Sequence, residues 1–200
     1  MRPNSLIARI LAHAEQMSEG APLSAKSLLH LGNRAAVDQA LSRLARRGKL
    51  IRSGRGIYVR PIESRFGTRA PAPEKVLAEV AKLRGEKIAP HGAAAANRLG
   101  LTTQVPMRAM YVTSGPSRRL KLGSQNVELK HVPRWQLTNA DRPSGEIVRA
   151  LAWAGRSQAH ETLARIKHRL SPEIRAELIE SRAVLPGWLA QTISAELAAQ

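Results

Sequence analysis

The chain of 200 residues contains no cysteine. That absence removes disulfides, thiolate nucleophiles and cysteine-ligated zinc. Aromatic residues are scarce as well: three Trp, two Tyr and one Phe make up 3% of the chain. With 43% hydrophobic residues there is material for a folded core, but that core must be built from Leu, Ile, Val and Ala, which favours helices. No apolar run approaches the ~20 residues needed to span a bilayer. The amino terminus has no contiguous apolar segment followed by a cleavage site. The expectation is a cytoplasmic protein with no membrane partner.

Acidic residues are also few. Fifteen Asp and Glu face 32 Lys and Arg, a formal net charge of +17. A field of that size favours a polyanionic partner without specifying a fold. Its distribution is uneven. Residues 1–65 hold 12 basic and 4 acidic side chains, net +8, and residues 66–139 repeat those counts. Residues 140–200 hold 8 and 7, net +1. The first two thirds are basic and the last third is balanced.

The pattern of elements predicts a mainly α protein with small β elements, an α+β chain. "NSLIARILAHAEQM" offers Asn4-Ser5 as N-caps and spaces Leu6, Ile10, Ala14 and Met17 as one helix face. "LSAKSLLHLG" supplies Ser24 as the cap of a short helix, with Leu28 and Leu29 inward and Gly32 as its stop. "NRAAVDQALSRLARRGK" carries the stripe Val37, Ala40, Leu41 and Leu44, opened by Asn33 or Arg34 and closed by Gly48. "GKLIRSGRGIYVRP" then reads as a hairpin whose glycines suit a tight turn. Helix, short helix, helix and hairpin is the order of a winged helix-turn-helix, placed at residues 1–62.

Residues 63–73, within "ESRFGTRAPAPE", read as a linker. Residues 74–139 read as a small α+β domain: a helix opened by Pro73 with Val76, Leu77, Val80 and Leu83 inward, a second helix at "HGAAAANRLG", a strand at "MRAMYVTSG", and a hairpin. In that hairpin Leu120 and Leu122 oppose Val127 and Leu129 across Gly123-Ser124-Gln125-Asn126. Residues 140–200 form a helical carboxy-terminal region whose helices are expected to start at Ser144, Ser157 and Ser171-Pro172. Within it Leu185, Trp188, Leu189 and Ile193 make an amphipathic stripe that suits either a homodimer interface or the chain's own core.

If the apolar stripe of the third helix faces inward, its other face is set by geometry. The first turns of a recognition helix enter the major groove and touch base edges. Arg suits guanine O6 and N7, and Gln suits adenine N6 and N7. Arg34, Gln39 and Arg43 are therefore the base-contacting candidates. Asn33, Ser42, Arg46 and Arg47 are assigned to the backbone, with Ser24 and Lys26 from the preceding short helix. Asp38 can accept from cytosine or steer Arg34 as an i,i+4 pair. On the hairpin, Lys49, Arg52, Arg55, Tyr58 and Arg60 are assigned to the wing. Arg55 sits between glycines at the tip, suited to an electronegative minor groove.

Catalytic constellations are missing. Six scattered histidines form no H-x-x-x-H pair, and His160-Glu161 with His168 is the nearest approach to a cluster. No Walker A or GxSxG element occurs. The reading is a non-enzyme with no metal and no cofactor.

The stretch "LGNRAAVDQALSRLARRGKLIRSGRGIYVRP" resembles the amino-terminal winged helix of AbiEi-type antitoxins and related bacterial winged-helix transcriptional regulators. That group shares a "G-x-L-x-R-x-G-x-G-x-Y" wing, matched by Gly48, Leu50, Arg52, Gly54, Gly56 and Tyr58. "GAAAANRLGLTTQVP", Gly92 to Pro106, followed by "MYVTSG", is similar to the group's second region. The resemblance covers about residues 20–135. It implies an antitoxin that represses its own operon by binding double-stranded operator DNA at inverted repeats. It also implies a cognate nucleotidyltransferase-like toxin as partner, neutralised largely through the second domain. The last 60 or so residues do not match the pattern. A regulator without a toxin, and a basic RNA-binding module drawing on "SRRLKLGSQNVELKHVPRW", are the alternative readings.

Overall fold

The structure, a computed structural model, describes residues 5–65, 67–104 and 108–197. Asn4, Phe66 and the run Val105-Pro106-Met107 lie outside the described residues. The fold is α+β, as the sequence pattern predicts. The chain divides into two compact units: Met1–Glu86 with Arg119–Val127, and Lys87–Arg118 with Glu128–Gln200.

In the first unit, α1 (Leu6–Gln16) starts at Ser5, whose hydroxyl accepts from the Ala8 amide at 3.3 Å. A short strand, β1 (Pro22–Leu23), leads to a 3-10 turn at Lys26–Leu28. There the Ser27 amide donates to Ser24 Oγ at 3.2 Å and the Ser27 hydroxyl donates back to the Ser24 carbonyl at 2.9 Å. The expected short helix is thus a single tight turn. One turn has one inward position, which Leu28 takes; Leu29, expected inward, is 48% exposed. Next comes α2 (Arg34–Arg46), then β2 (Ile51–Gly54) and β3 (Ile57–Val59). The sheet order is β1-β3-β2, all antiparallel. The order and pairing are those of a winged helix. Its core joins Ile10, Leu23, Leu28, Val37, Leu41 and Leu44 with Leu50 and Tyr58.

The expected linker is partly strand. β4 (Ile62–Ser64) and β5 (Gly67–Arg69) form their own two-stranded ribbon. Beyond it, α3 (Pro73–Arg84) begins on Pro73 and ends on Gly85 in the left-handed conformation. The sequence reading assigned this helix to the second domain, but it belongs to the first unit. The reason is a close contact: Gly20 lies so near the Lys75–Val76 backbone that a Cβ there would sit 2.9 Å from it. Val76, Leu77 and Val80 are buried, while Leu83, expected inward, is 54% exposed at the last turn.

The second unit contains β6 (Ile88–Pro90), α4 (Gly92–Arg98), β7 (Ala109–Thr113) and the outer parts of β8 (Arg118–Leu122) and β9 (Gln125–His131). The sheet order is β6-β7-β9-β8. The hairpin, whose residues Arg119–Val127 belong to the first unit, turns on Gly123-Ser124 alone, two residues rather than four. Leu120, Leu122, Val127 and Leu129 are all buried, as the alternation predicts. Four helices complete the unit: α5 (Pro143–Ala154), α6 (Ala159–Ile166), α7 (Pro172–Ser181) and α8 (Gly187–Leu197). The cap at Ser171 forms, accepting from the Ile174 amide at 3.4 Å. Ser144 does not open α5; Pro143 does, and Ser144 is buried in the first turn. Leu185, Leu189 and Ile193 are buried with Ile147, Leu163 and Leu178, and Trp188 packs against them. The stripe considered for a dimer interface therefore belongs to the chain's own core. Among the described residues, no helix is long and apolar enough to cross a membrane.

One titratable group sits at a structural joint of this unit. His91 caps α4, its Nδ1 accepting from the Ala93 amide at 3.2 Å. Burial, with the Lys130 charge as a smaller cause, lowers its pKa from the ordinary 6.5. The unfolded chain then binds a proton at higher pH than the folded one does. The stability that neutral His91 contributes is present above about pH 6.5 and is lost as pH falls below it towards the folded pKa. Thermal unfolding measured from neutral pH downwards should show this unit weakening below about pH 6.5. His91→Asn, which keeps a cap acceptor but cannot titrate, should flatten that dependence.

Candidate nucleic-acid interface

Helix α2 exists because its sequence satisfies both ends and one face. Asn33 Oδ1 accepts from the Ala36 amide at 2.9 Å, the N-cap bond that begins the helix. At the other end Gly48 takes φ +70°, and the Lys49 amide donates to the Leu44 carbonyl at 3.0 Å. Val37, Ala40, Leu41 and Leu44 are buried, so the helix cannot rotate about its axis without exposing them.

That leaves Arg34, Asp38, Gln39, Arg43, Arg46 and Arg47 exposed, with Ser42 half-buried among them. The base-contacting candidates Arg34, Gln39 and Arg43 are all exposed; at ~100° per residue Gln39 and Arg43 lie close together on the helix, while Arg34 is half a turn round from Arg43. Arg34 Nε donates to Asp38 Oδ2 at 3.0 Å across one turn. The pair is exposed, so it adds little stability. Its effect is to hold the Arg34 guanidinium along the helix face. Lys26 is exposed and Ser24 half-buried at the preceding turn. The side-chain oxygens of Asn33 and Ser24 both accept from backbone amides, so their first duty is structural.

The hairpin after α2 pairs Ile51 with Val59, Arg52 with Tyr58 and Gly54 with Ile57, with an irregularity between Arg52 and Gly54. Arg55 and Gly56 are the two-residue tip, and Gly56 takes φ +68°, which glycine adopts without strain. Lys49, Arg52, Arg55 and Arg60 are exposed. Arg52 is exposed, while Ser53 beside it is buried. Gly54 has a different reason. A Cβ there would lie 3.2 Å from Leu120 Cδ2, so the glycine makes room for the hairpin tip of β8 and β9.

Tyr58 requires correction. The sequence reading assigned it to the DNA-contacting wing, but β3 is the central strand and Ile57, Tyr58 and Val59 are all buried. At 5% exposure, packed in the core with Leu41 and Leu44, Tyr58 does not belong to the binding surface. A strand covered on both faces loses the in-out period that a sequence reading relies on.

The exposed charge of this unit does not end at the wing. Arg65 and Arg69 on the β4–β5 ribbon are exposed too, although the linker reading gave them no role. The signal was there: "SRFG" follows "SGRG" eleven residues later with the same Ser, Arg and Gly.

No group of three or more His, Asp or Glu could hold a metal ion among the described residues. His160 on α6 is 2.8 Å from Glu196 on α8, which also takes Lys167, on the turn after α6, at 2.9 Å. In α5, Arg149 is buried, with Nε and Nη1 lacking hydrogen-bond partners; desolvation brings its pKa down to about 10.

A family model described as "Family of unknown function (DUF6088)" matches residues 9–178. The chain belongs to the DUF6088 family. The match takes in the winged helix of this DUF6088 chain, its ribbon, and most of its second unit. No curated protein matches the chain. A similar solved structure is the crystal structure of the RV2827C protein from Mycobacterium tuberculosis. It is 16% identical over 96% of this chain and 76% of that one, with a TM-score of 0.43.

Proposed function

We propose that this DUF6088 chain is a sequence-specific DNA-binding transcriptional regulator that acts by binding rather than by catalysis. The observation that carries the reading is the outer face of α2. Gln39 and Arg43 lie together on the exposed side of a helix whose opposite face is locked in a core, Arg34 is exposed at its first turn, and an arginine-tipped hairpin follows. A duplex major groove, about 12 Å wide, accepts such a helix. Arg46, Arg47, Lys49, Arg52 and Arg60 supply the sequence-independent attraction to phosphates.

The finer reading rests on the resemblance to AbiEi-type antitoxins. In it the protein represses its own operon at inverted repeats, as a homodimer, and its second unit engages a nucleotidyltransferase-like toxin. A dimer on such repeats needs half-sites one helical turn, or a multiple, apart.

Fluorescence anisotropy tests the reading, using duplex from the gene's own upstream region, a scrambled duplex and a matched RNA over a salt series. Six neutralised phosphates give a log–log salt slope near −5. A preference for upstream over scrambled duplex of roughly a thousandfold or more is the expected result. Equal binding to every polyanion would overturn it, and preference for the RNA would put the RNA-binding reading in its place.

A further inference from the structure

We infer that the second unit carries a small-molecule site, a cleft between α5 and α6 that takes a free α-amino acid with an apolar or aromatic side chain. The site goes beyond the DNA-binding reading and does not depend on it.

The cleft lies within the second unit and measures about 320 Å³, the small end of the range for ligand pockets. It opens because the two helices meet across residues of unequal size. Ala150, Trp153 and Ala154 recur at i, i+3 and i+4 along one side of α5. The two alanines are too short to fill the space beside the indole. The third wall is the chain just after α4, and it is tied in place. There the Leu101 amide donates to the Ala96 carbonyl at 2.9 Å, and Asn97 Nδ2 donates to the Thr102 carbonyl at 3.2 Å. Trp153 stays 43% exposed, although Ala150 and Leu151 on the same helix are buried. Among the described residues of this unit, Trp153 and Val184 are the large hydrophobic side chains left exposed. An indole on the wall of a cleft offers an apolar plane to a flat or branched side chain.

The charges on the opposite wall select the polar end of the ligand. Glu161 and Arg165 stand one turn apart on α6, in the order that favours an i,i+4 ion pair. Both line the cleft and are exposed, yet the structure pairs them neither with each other nor with another described side chain. Their charges cancel, so the cleft favours a ligand that is itself neutral overall. A phosphate would meet Glu161 as well as Arg165, and the repulsion would offset much of the attraction. An α-amino acid answers both groups. Its carboxylate accepts from the Arg165 guanidinium, its ammonium donates to the Glu161 carboxylate, and both are charge-assisted hydrogen bonds. Its side chain then lies against Trp153, over Ala150 and Ala154.

Isothermal titration calorimetry on the full chain without DNA tests this, so its result is separate from that of the DNA-binding reading. L-phenylalanine or L-leucine should bind with a Kd of roughly 1 mM or tighter. Phenylalaninamide, which has no carboxylate, and 3-phenylpropionate, which has no ammonium, should each bind about tenfold or more weaker than L-phenylalanine. Arg165→Ala and Trp153→Ala should each weaken the amino acid by about tenfold or more. Both side chains are exposed, so thermal unfolding should stay close to that of the wild type. If neither amino acid binds at that level, the inference falls. If both analogues bind as well as L-phenylalanine, the cleft recognises apolar surface alone and the roles of Glu161 and Arg165 are overturned. Wild-type affinity in Arg165→Ala would place the ligand elsewhere. Tighter binding of adenosine monophosphate than of either amino acid would overturn the ligand class in favour of a nucleotide.

Discussion

Replacing Arg34, Gln39 and Arg43 together with Ala should bring binding to the upstream duplex down to the level of a scrambled one. Each bidentate contact of this kind discriminates by roughly 1–3 kcal/mol, so three account for most of a thousandfold or greater preference. The phosphate-directed charges Arg46, Arg47, Lys49, Arg52 and Arg60 remain in the variant, so residual binding should persist and stay salt-dependent. Arg52→Ala makes the contrasting control. Exposed at the side of the wing, it should weaken every duplex alike and leave preference intact. Single variants Arg34→Ala and Gln39→Ala should relax preference at different positions of the site. If these variants and Arg52→Ala lowered all affinities by one common factor, the division into reading and gripping residues would be wrong. None of these side chains is buried, so thermal unfolding should stay close to that of the wild type.

Gly145→Ala should be the most damaging single substitution in the second unit. A Cβ at this position would run into the Asn139 carbonyl oxygen, with the Asn139 carbonyl carbon at 2.5 Å and the Thr138 carbonyl oxygen at 2.6 Å. These are backbone atoms, so no rotamer change relieves the clash. Either the turn before α5 shifts or the helix does. The turn is held by Asn139 at φ 49°, by its Nδ2 donating to Ser144 Oγ at 3.1 Å, and by the Ser144 hydroxyl donating to Glu177 at 2.5 Å. The helix is held by Ile147 and Leu151 in the core. Forcing this arrangement should cost about 3 kcal/mol or more, above the range for ordinary overpacking. Calorimetry should then show this unit melting roughly 10 °C lower, at 2–4 °C per kcal/mol for a chain of this size. Binding of duplex DNA by the first unit should survive below that transition. Gly92→Ala offers a parallel case, because its Cβ would meet the Arg149 carbonyl and lie 2.6 Å from Trp153 Cβ. Retention of wild-type stability by Gly145→Ala would mean that the turn and α5 do not pack this closely.

Much of the candidate interface was legible in the sequence because it is built from local rules. The stripe Val37, Ala40, Leu41 and Leu44 needs only the helical period to orient α2, and Asn33 and Gly48 mark its ends through bonds within a few residues. The same applies to Arg55-Gly56 at the tip and to Pro73 at the start of α3. Every one of these features is decided by residues that are neighbours in the chain.

The tertiary structure decided what depends on distant partners. Tyr58 is buried because β1, 35 or so residues earlier, pairs with β3 and makes it central; no local alternation encodes that pairing. Helix α3 belongs with the winged helix because Gly20 admits its backbone, a contact across more than 50 residues. Leu185, Leu189 and Ile193 have the same amphipathic pattern whether they face a second chain or their own, and only packing against Ile147 and Leu163 distinguishes the two. The sequence by itself determined which residues form the helices, turns and charged faces, since short-range hydrogen bonding and periodicity suffice for those. Which faces are covered, and so which side chains are left for a partner, was decided by burial against remote parts of the chain.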